Sequence, residues 1–478
     1  MRKISLISIF CTCIFLMSCS AGKEKIVCLG NSQSDLAQLL EGEGYRLQYC
    51  TSVQEALEEA PEQSGVLLLN TTYPEQGTVL STDDLVKMKA KSLRVLVEFP
   101  QQLGENVCVK TDTMELESFT MKKSCFLLLF LCLHCVSYVD AQIVYHDADS
   151  FPLYGKATQA TTERYVRLPD SLQSVCREPL WYLSRNSAGM SVRFRSNSTQ
   201  IALKCESLNN FHMDHMADVG VRGLDLYCWD EYAACWQFIN SARPQLKKTE
   251  SIVVGCMAPQ MREYMVNLSL YDGVSSLAIG VDSLSVIEQP QLDLPRREKT
   301  VVMYGTSILQ GGCASRPGMA HTNILSRRLN RECINLGFSG NAFLDYEVAE
   351  VMAAVDAGAY VLDFVPNVTV EQMEERMETF YRIIRDKHPD TPIIFVEDPI
   401  FTSTHYDTKG AESLSKLNTT LRRKFKELKK TEKHIYYVSS KDFIGKDREG
   451  TVDAIHFTDL GMMRYADVMY PVLKRVID

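Results

Sequence analysis

The sequence predicts an α/β protein in three parts. A C-terminal three-layer α/β/α domain on a parallel sheet (residues 298–478) follows a β-sandwich or jelly-roll-like domain (142–290), and a partial doubly wound α/β segment (24–120) stands near the N-terminus. Three observations carry this. From Val301 onward short apolar runs alternate with amphipathic helical stretches, the pattern of buried strands covered on both faces. Between Gln142 and Glu288 the runs are short, rich in Val, Ile, Leu and Tyr, and separated by turn residues. Between residues 24 and 120 the alternation of strand and helix appears again, but too briefly for a whole fold of that kind.

Length and composition set the bounds. A chain of 478 residues exceeds what one core usually organises, and 45% hydrophobic with 23% charged residues excludes wholesale disorder. A formal net charge of −9 argues against a nucleic-acid partner. The one basic run, Arg422 to Lys430, reads as the solvated face of a helix.

The first residues form an address. Arg2 and Lys3, the apolar run Ile4 to Met17 and then Leu16-Met17-Ser18-Cys19 resemble a bacterial lipoprotein signal spanning 1–19. Such a signal implies cleavage before Cys19, lipidation of that cysteine, and an exported protein in the periplasm or at the cell surface. A plain secretory segment with an incidental cysteine is the alternative. A second address lies inside the chain at 121–141, where Met121-Lys122-Lys123-Ser124 precedes the apolar stretch Cys125 to Val139 and then Asp140-Ala141-Gln142. That stretch is short for a membrane span, which needs about 20 apolar residues. Met121 would serve as a start codon, so two joined reading frames are expected, with Met1 to Thr120 belonging to another protein. A marginal anchor between domains and a buried apolar helix are the rivals.

In segment 24–120, strands are expected at Lys25–Leu29, Tyr45–Tyr49, Gly65–Leu69 and Leu93–Glu98, and helices at Ser34–Leu40 and Ser52–Ala60. Gly30-Asn31-Ser32 lacks a dinucleotide or P-loop pattern and reads as an ordinary turn. In the β-rich part, strands are expected at Ser191–Arg195, Gln200–Cys205, Gly223–Trp229, Cys235–Ile239, Ser251–Val254, Glu263–Leu270 and Leu277–Val286. Trp181-Tyr182 and Tyr227-Cys228-Trp229 are aromatic stretches for which a buried core is the expected fate and sugar stacking the alternative. His212, Asp214 and His215 cluster in sequence, but no further ligand is apparent and no metal site is expected. Cys176, Cys205, Cys228, Cys235, Cys256, Cys313 and Cys333 are an odd set, so at least one is free or pairs elsewhere. Cys313 has no histidine in view except His456, for which a serine competes.

After a linker from Gln289-Pro290 to Arg297, strands are expected at Val301–Tyr304, Cys333–Leu336, Ala359–Phe364, Ile393–Glu397 and His434–Val438. Helices are expected at Ala320–Leu329, Tyr346–Ala354, Glu412–Leu428 and Asp459–Val476, and a core-facing stripe of Met373, Met377, Phe380, Tyr381 and Ile384 marks one more. In such parallel sheets ligands sit at the carboxyl ends of strands. Ser307, Gly340, Asn367 and the pair Asp453 and His456 all fall there. A serine, a histidine and an acid are the three parts that activate a hydroxyl nucleophile.

Gly305-Thr306-Ser307, Gly340 within Gly337-Phe338-Ser339-Gly340-Asn341, Asn367, and Asp453-x-x-His456 together resemble the four blocks of the SGNH (GDSL-like) hydrolases. The resemblance covers Lys299 to Asp478. Gly223-Leu224-Asp225-Leu226-Tyr227 resembles the G-x-D-L-Y signature of the sandwich that precedes a subgroup of these esterases. The resemblance implies Ser307 as nucleophile, His456 as general base and then acid, and Asp453 as its orienting partner. It implies an oxyanion hole from the N–H groups of Ser307 and Gly340 and the amide of Asn367. The expected substrate is an O-acetyl or short acyl ester on a carbohydrate, with no metal and no organic cofactor. A lipid or thioester hydrolase, and a carbohydrate-binding protein without catalysis, are the alternatives. Thr306 stands where the family has Asp, and Val365-Pro366-Asn367-Val368 where it has Gly-x-Asn-Asp. The second departure leaves open how Asn367 is held, with Asp363 as a candidate and an N-cap of the next helix as another reading.

Overall fold

The computed structural model describes residues 25–30, 35–42, 46–62, 64–69, 78–91, 93–97, 100–103 and 142–478. Segment 1–19 with Cys19, all of 121–141, and Asn31 and Ser32 lie outside the described residues. The chain divides into two units, Met1–Ile143 and Val144–Asp478.

In the first unit four parallel strands run in the order Arg46–Cys50, Lys25–Leu29, Gly65–Leu68, Arg94–Val97. Alternate residues of these strands face opposite ways, as period-2 geometry dictates. Val27, Val66 and Leu68 pack with Ala56, Leu57 and Met88, whereas Ile26, Cys28 and Leu67 pack with Ala37 and Leu40. Helices therefore cover both faces, including a helix at Thr82–Ala90 that the sequence pattern did not reveal. Its start is set by Ser81, whose hydroxyl accepts from the Asp84 N–H while Asp84 accepts from the Ser81 N–H.

In the second unit two antiparallel sheets form the sandwich. One has the order Lys248–Val254, Ile201–Ser207, Val274–Asp282, Ile143–Asp147. The other has the order Cys235–Ala242, Leu224–Asp230, Arg262–Asn267, Ser191–Ser196, Ile287–Glu288. Phe194, Leu203, Leu226, Tyr264, Val266 and Ile279 meet between them, each fully buried. Each such side chain contributes about 1.5–3 kcal/mol of burial.

The parallel sheet follows, with strands β1 Arg296–Gly305, β2 Arg331–Gly337, β3 Ala359–Asp363, β4 Ile393–Val396 and β5 Ile435–Val438, in the order β2-β1-β3-β4-β5. Helices α1 Ser307–Gln310, α2 His321–Leu329, α3 Tyr346–Ala353, α4 Val370–Lys387, α5 Thr408–Leu428 and α6 Asp459–Ile477 connect and cover it. Val302, Tyr304, Leu336, Leu362 and Phe395 face α3, α4 and α5, with the Met373, Met377 and Phe380 stripe in that core. Val301, Met303, Val361 and Ile394 face α2 and α6. Three layers result.

Two details differ from the sequence expectation. The segment from Gln289 to Arg297 is fastened along its length: Gln289 donates to the Ser150 carbonyl at 2.6 Å, the Gln291 N–H to Glu263 at 2.9 Å, and Arg296 already pairs with Arg331. The aromatic stretches divide: Tyr227 is buried and Trp229 packs beside Trp236 and Met265, whereas Tyr182 is half exposed. The cations of the Arg422 to Lys430 run lie on and just beyond α5, where Arg422 pairs with Glu397, Arg423 with Glu374 and Glu427, and Lys424 with Glu374.

Candidate active site

The site is built on one row of the sheet, where Gly305 of β1 lies level with Gly337 of β2 and Asp363 of β3. Ser307 lies two residues beyond this row, Gly340 three and Asn367 four, so the loops leaving three adjacent strands deliver all of them to one end. A side chain at Gly305 would strike the Asp363 carbonyl, its Cβ falling 2.5 Å away. Only glycine lets β1 and β3 approach there.

Ser307 opens α1. Its predecessor Thr306 is the N-cap, with its hydroxyl accepting from the Ile308 N–H at 3.3 Å. Thr306 thus performs locally what a capping Asp would. Ser307 is 7% exposed, and its Oγ lies 2.9 Å from Nε2 of His456. On the far side of the ring, Nδ1 lies 2.6 Å from Oδ2 of Asp453. The other carboxylate oxygen accepts from the N–H groups of His456 at 2.7 Å and Ile455 at 3.0 Å. Burial works against the Asp453 carboxylate, yet the hydrogen bonds from the His456 ring and backbone outweigh it and hold its carboxyl below the usual range. With Asp453 ionised on Nδ1, that nitrogen carries the proton and Nε2 presents a lone pair to the serine.

The loop carrying the histidine is tied to the serine's own loop. The Cys313 N–H donates to the Phe457 carbonyl at 3.1 Å, and the Phe457 N–H to the Gly312 carbonyl at 3.2 Å. Thr458 then caps α6 through the Gly461 N–H. Serine and histidine are therefore positioned by backbone pairing across 149 residues of sequence.

Gly340 has φ +64, and a Cβ built there would meet nothing within 4 Å. The left-handed backbone selects glycine here, rather than a crowded approach. Asn367 ends a short 3-10 turn, Val365–Asn367, and its Oδ1 accepts from the Ala342 N–H at 3.2 Å. That bond answers how Asn367 is held, and its NH2 group has no acceptor among the described residues. The N-cap of α4 is Thr369, in a capping box with Gln372, and not Asn367. Asp363 does not support Asn367 either. It is buried, accepts from the Tyr465 hydroxyl at 2.6 Å, and burial pushes its carboxyl up to about 7 against the effect of that bond.

Several supporting residues escaped the sequence reading. Gln310, fully buried on α1, donates to Asn186 at 3.0 Å and to the Leu270 carbonyl at 2.9 Å, and accepts from the Ser339 N–H at 2.9 Å. The Tyr271 hydroxyl donates to the Ser307 carbonyl at 3.1 Å. Arg177 grips Asp345 at 2.7 and 2.9 Å and Asn341 at 2.8 Å. Asn186, Leu270, Tyr271 and Arg177 all precede the hydrolase region in sequence. The spacing of Gln310 one helical turn after Ser307 is the only signal among these that sequence alone carries.

Of the histidine cluster, His212 pairs with Asp218 at 2.7 Å, and Asp214 accepts from His215 at 3.0 Å. His215 also lies beside His456, its ring tilted and the ring centroids 5.4 Å apart. It is the second histidine beside Cys313 that the sequence did not reveal. All seven cysteines from Cys176 to Cys333 are free thiols.

The G-x-D-L-Y run lies at the contact between sandwich and parallel sheet. Asp225, wholly buried, accepts from the Gly318 N–H at 2.6 Å, Arg316 at 2.9 Å and Asn267 at 2.8 Å. The Tyr227 hydroxyl accepts from the same Arg316 at 2.6 Å.

Comparison with known proteins bears on the family and the fold. Residues 298–474 match the GDSL-like lipase/acylhydrolase family, and residues 143–287 match the GxDLY family, the N-terminus of SGNH-hydrolase-type esterases. A GDSL-like lipase from Bacteroides ovatus ATCC 8483 is 35% identical, with a TM-score of 0.67 over 70% of this chain and 98% of that one. Salicylyl-acyltransferase SsfX3 from a tetracycline biosynthetic pathway shares the fold at 14% identity, with a TM-score of 0.57 over 68% of this chain and 95% of that one. None of the proteins of curated function matches the chain. The 35% identity over nearly the whole of the Bacteroides protein, with both family matches in series, means that this chain belongs to the SGNH (GDSL-like) hydrolases, in the group that carries a GxDLY domain before the hydrolase domain.

Proposed function

We propose that the protein is a serine esterase that removes acetyl or other short acyl groups from carbohydrates, acting as an exported enzyme. The observation that carries the proposal is the continuous hydrogen-bonded line from Ser307 Oγ through the His456 ring to Asp453, at 2.9 and 2.6 Å. In this mechanism Ser307 attacks the ester carbonyl as Nε2 of His456 takes its proton, and Asp453 stabilises the imidazolium. The developing oxyanion is met by the N–H groups of Ser307 and Gly340 and the Asn367 amide. A single donor of this kind is worth about 3 kcal/mol in the transition state. His456 then returns the proton to the departing sugar hydroxyl. Water, deprotonated by the same nitrogen, releases the acid from the serine.

The carbohydrate half of the proposal draws support from the site's edge. Phe211 is exposed on the loop that brings His215 to His456, an apolar ring face of the kind on which sugars stack. The test is released acetate from a panel of acetylated glycans and aryl acetates, measured for the wild type and Ser307→Ala. Turnover by wild type with a loss of about 10⁴-fold or more in Ser307→Ala is expected. Equal turnover by both proteins would refute the mechanism. Preference for long-chain lipid esters or thioesters over glycan acetates would refute the substrate class.

A further inference from the structure

We propose that His215, Cys313 and His456 form a binding site for a borderline-soft divalent cation such as Zn²⁺, and that its occupation switches the enzyme off. The ligand atoms of the three side chains lie within 4.8 Å of one another. Two imidazoles and a thiol are a donor set that Zn²⁺ favours, and hard ions such as Mg²⁺ and Ca²⁺ do not.

The three residues come from separate loops, and two are already locked together. Cys313 and His456 stand on either side of the paired backbone bonds between Gly312, Cys313 and Phe457. His215 approaches from the sandwich with its side chain 29% exposed, against 21% for His456. Tetrahedral zinc at about 2.0–2.3 Å from each ligand needs donor atoms about 3.5 Å apart. The 4.8 Å limit leaves even the widest pair only about an ångström beyond that spacing.

The surroundings of both rings suit a metal. Each Nδ1 already faces a carboxylate, Asp453 at 2.6 Å and Asp214 at 3.0 Å, which leaves Nε2 as the available ligand atom. A carboxylate behind a ligating histidine fixes its tautomer and raises its basicity. Cys313 is 7% exposed, and it meets the metal as a thiol. On binding, the S–H proton leaves to solvent, the sulfur lone pair forms the Zn–S bond, and both imidazoles donate lone pairs without losing protons. Water completes the fourth position.

The consequence for catalysis rests on the esterase reading, whereas the binding does not. The lone pair on Nε2 of His456 cannot both hold zinc and accept the Ser307 proton. The first measurement is calorimetric titration of zinc chloride into full-length Ser307→Ala, and into the same chain with His215→Ala or Cys313→Ser added. One saturable equivalent is expected, weakened by about 10-fold or more by either substitution. No saturable site, or affinity unchanged by both substitutions, would overturn the proposal. The second is wild-type aryl acetate hydrolysis with zinc added and then chelated with EDTA. Turnover should fall with occupancy and return on chelation, and full turnover at saturation would overturn the switch. Should the wild type hydrolyse no ester at all, the calorimetric arm still decides the site.

Discussion

Replacing Asp225 by Ala should destabilise the second unit by an amount the structure allows to be worked out. Its carboxylate is fully buried, and its three donors are the Gly318 N–H, Arg316 and Asn267, at 2.6, 2.9 and 2.8 Å. Arg316 is 18% exposed and lies with its guanidinium 3.7 Å from the Phe238 ring centroid, so its charge has little water to turn to. Breaking a buried pair by removing one partner costs about 3–5 kcal/mol. The remaining bond to Tyr227 and the slight exposure of Arg316 place this case near the lower end, at about 3–4 kcal/mol. With an unfolding entropy of roughly 2.1 cal/mol/K per residue, a unit of the length of Val144–Asp478 should lose roughly 4–6 °C in Tm. Thermal melts followed by circular dichroism or calorimetry would measure it. Asp225→Asn, which keeps one acceptor, should fall between wild type and Ala. In the double variant with Arg316→Ala the two losses should add to less than their sum, because the unpaired charge is gone. A Tm for Asp225→Ala within about 1 °C of wild type would refute the reasoning.

Three further outcomes follow from the site. Asn367→Ala removes the proposed side-chain donor and should lower kcat on acetyl esters by about 10²–10³-fold, whereas a change confined to KM would count against an oxyanion role. Gly340→Ala meets no neighbour but forces an L side chain to φ +64, so stability should fall by about 1–2 kcal/mol in denaturant titration. An unchanged midpoint would show that the loop relaxes freely. Asp363→Asn tests the buried carboxyl whose folded value is pushed up to about 7. A raised acid binds its proton more tightly folded than unfolded, so its contribution is present below the ordinary carboxyl range and is lost as pH climbs towards 7. Tm of Asp363→Asn relative to wild type should therefore rise between about pH 4 and pH 7. A pH-independent difference would contradict the burial.

The order of strands and helices after Val301 was legible because both faces of the sheet are covered. Val301, Val302, Met303 and Tyr304 are all buried, so the run is continuous and its neighbours read as amphipathic helices. Ser307, Gly340, Asn367, Asp453 and His456 were legible because each follows or precedes such a run at a strand end. What stayed hidden depends on contacts that no periodicity marks. Arg177 reaches Asp345 across 168 residues, and Gln310 reaches Asn186 across 124. The irregular stretch from Gly155 to Met190, which supplies Arg177 and Asn186, has little strand or helix pattern to read. Gly340 was legible as glycine, and the structure adds that its backbone is left-handed, at φ +64. Thr306 looked like a departure, and only the geometry shows a cap whose chemistry hydroxyl and carboxylate share.

The buried amide of Gln310 has a consequence for anyone who would cut or graft this protein. It answers on one side to Asn186 and Leu270, and on the other to the loop of Ser339 and Gly340. A hydrolase domain excised at its apparent boundary would keep all three members of the serine line. It would lose the acceptors that aim Gln310 and the Tyr271 hydroxyl on the Ser307 carbonyl. The seam between the modules thus runs through the candidate site, not around it. Exchanging the sandwich for another therefore also alters the bonds that hold the candidate site, unless Asn186, Leu270 and Tyr271 travel with the graft.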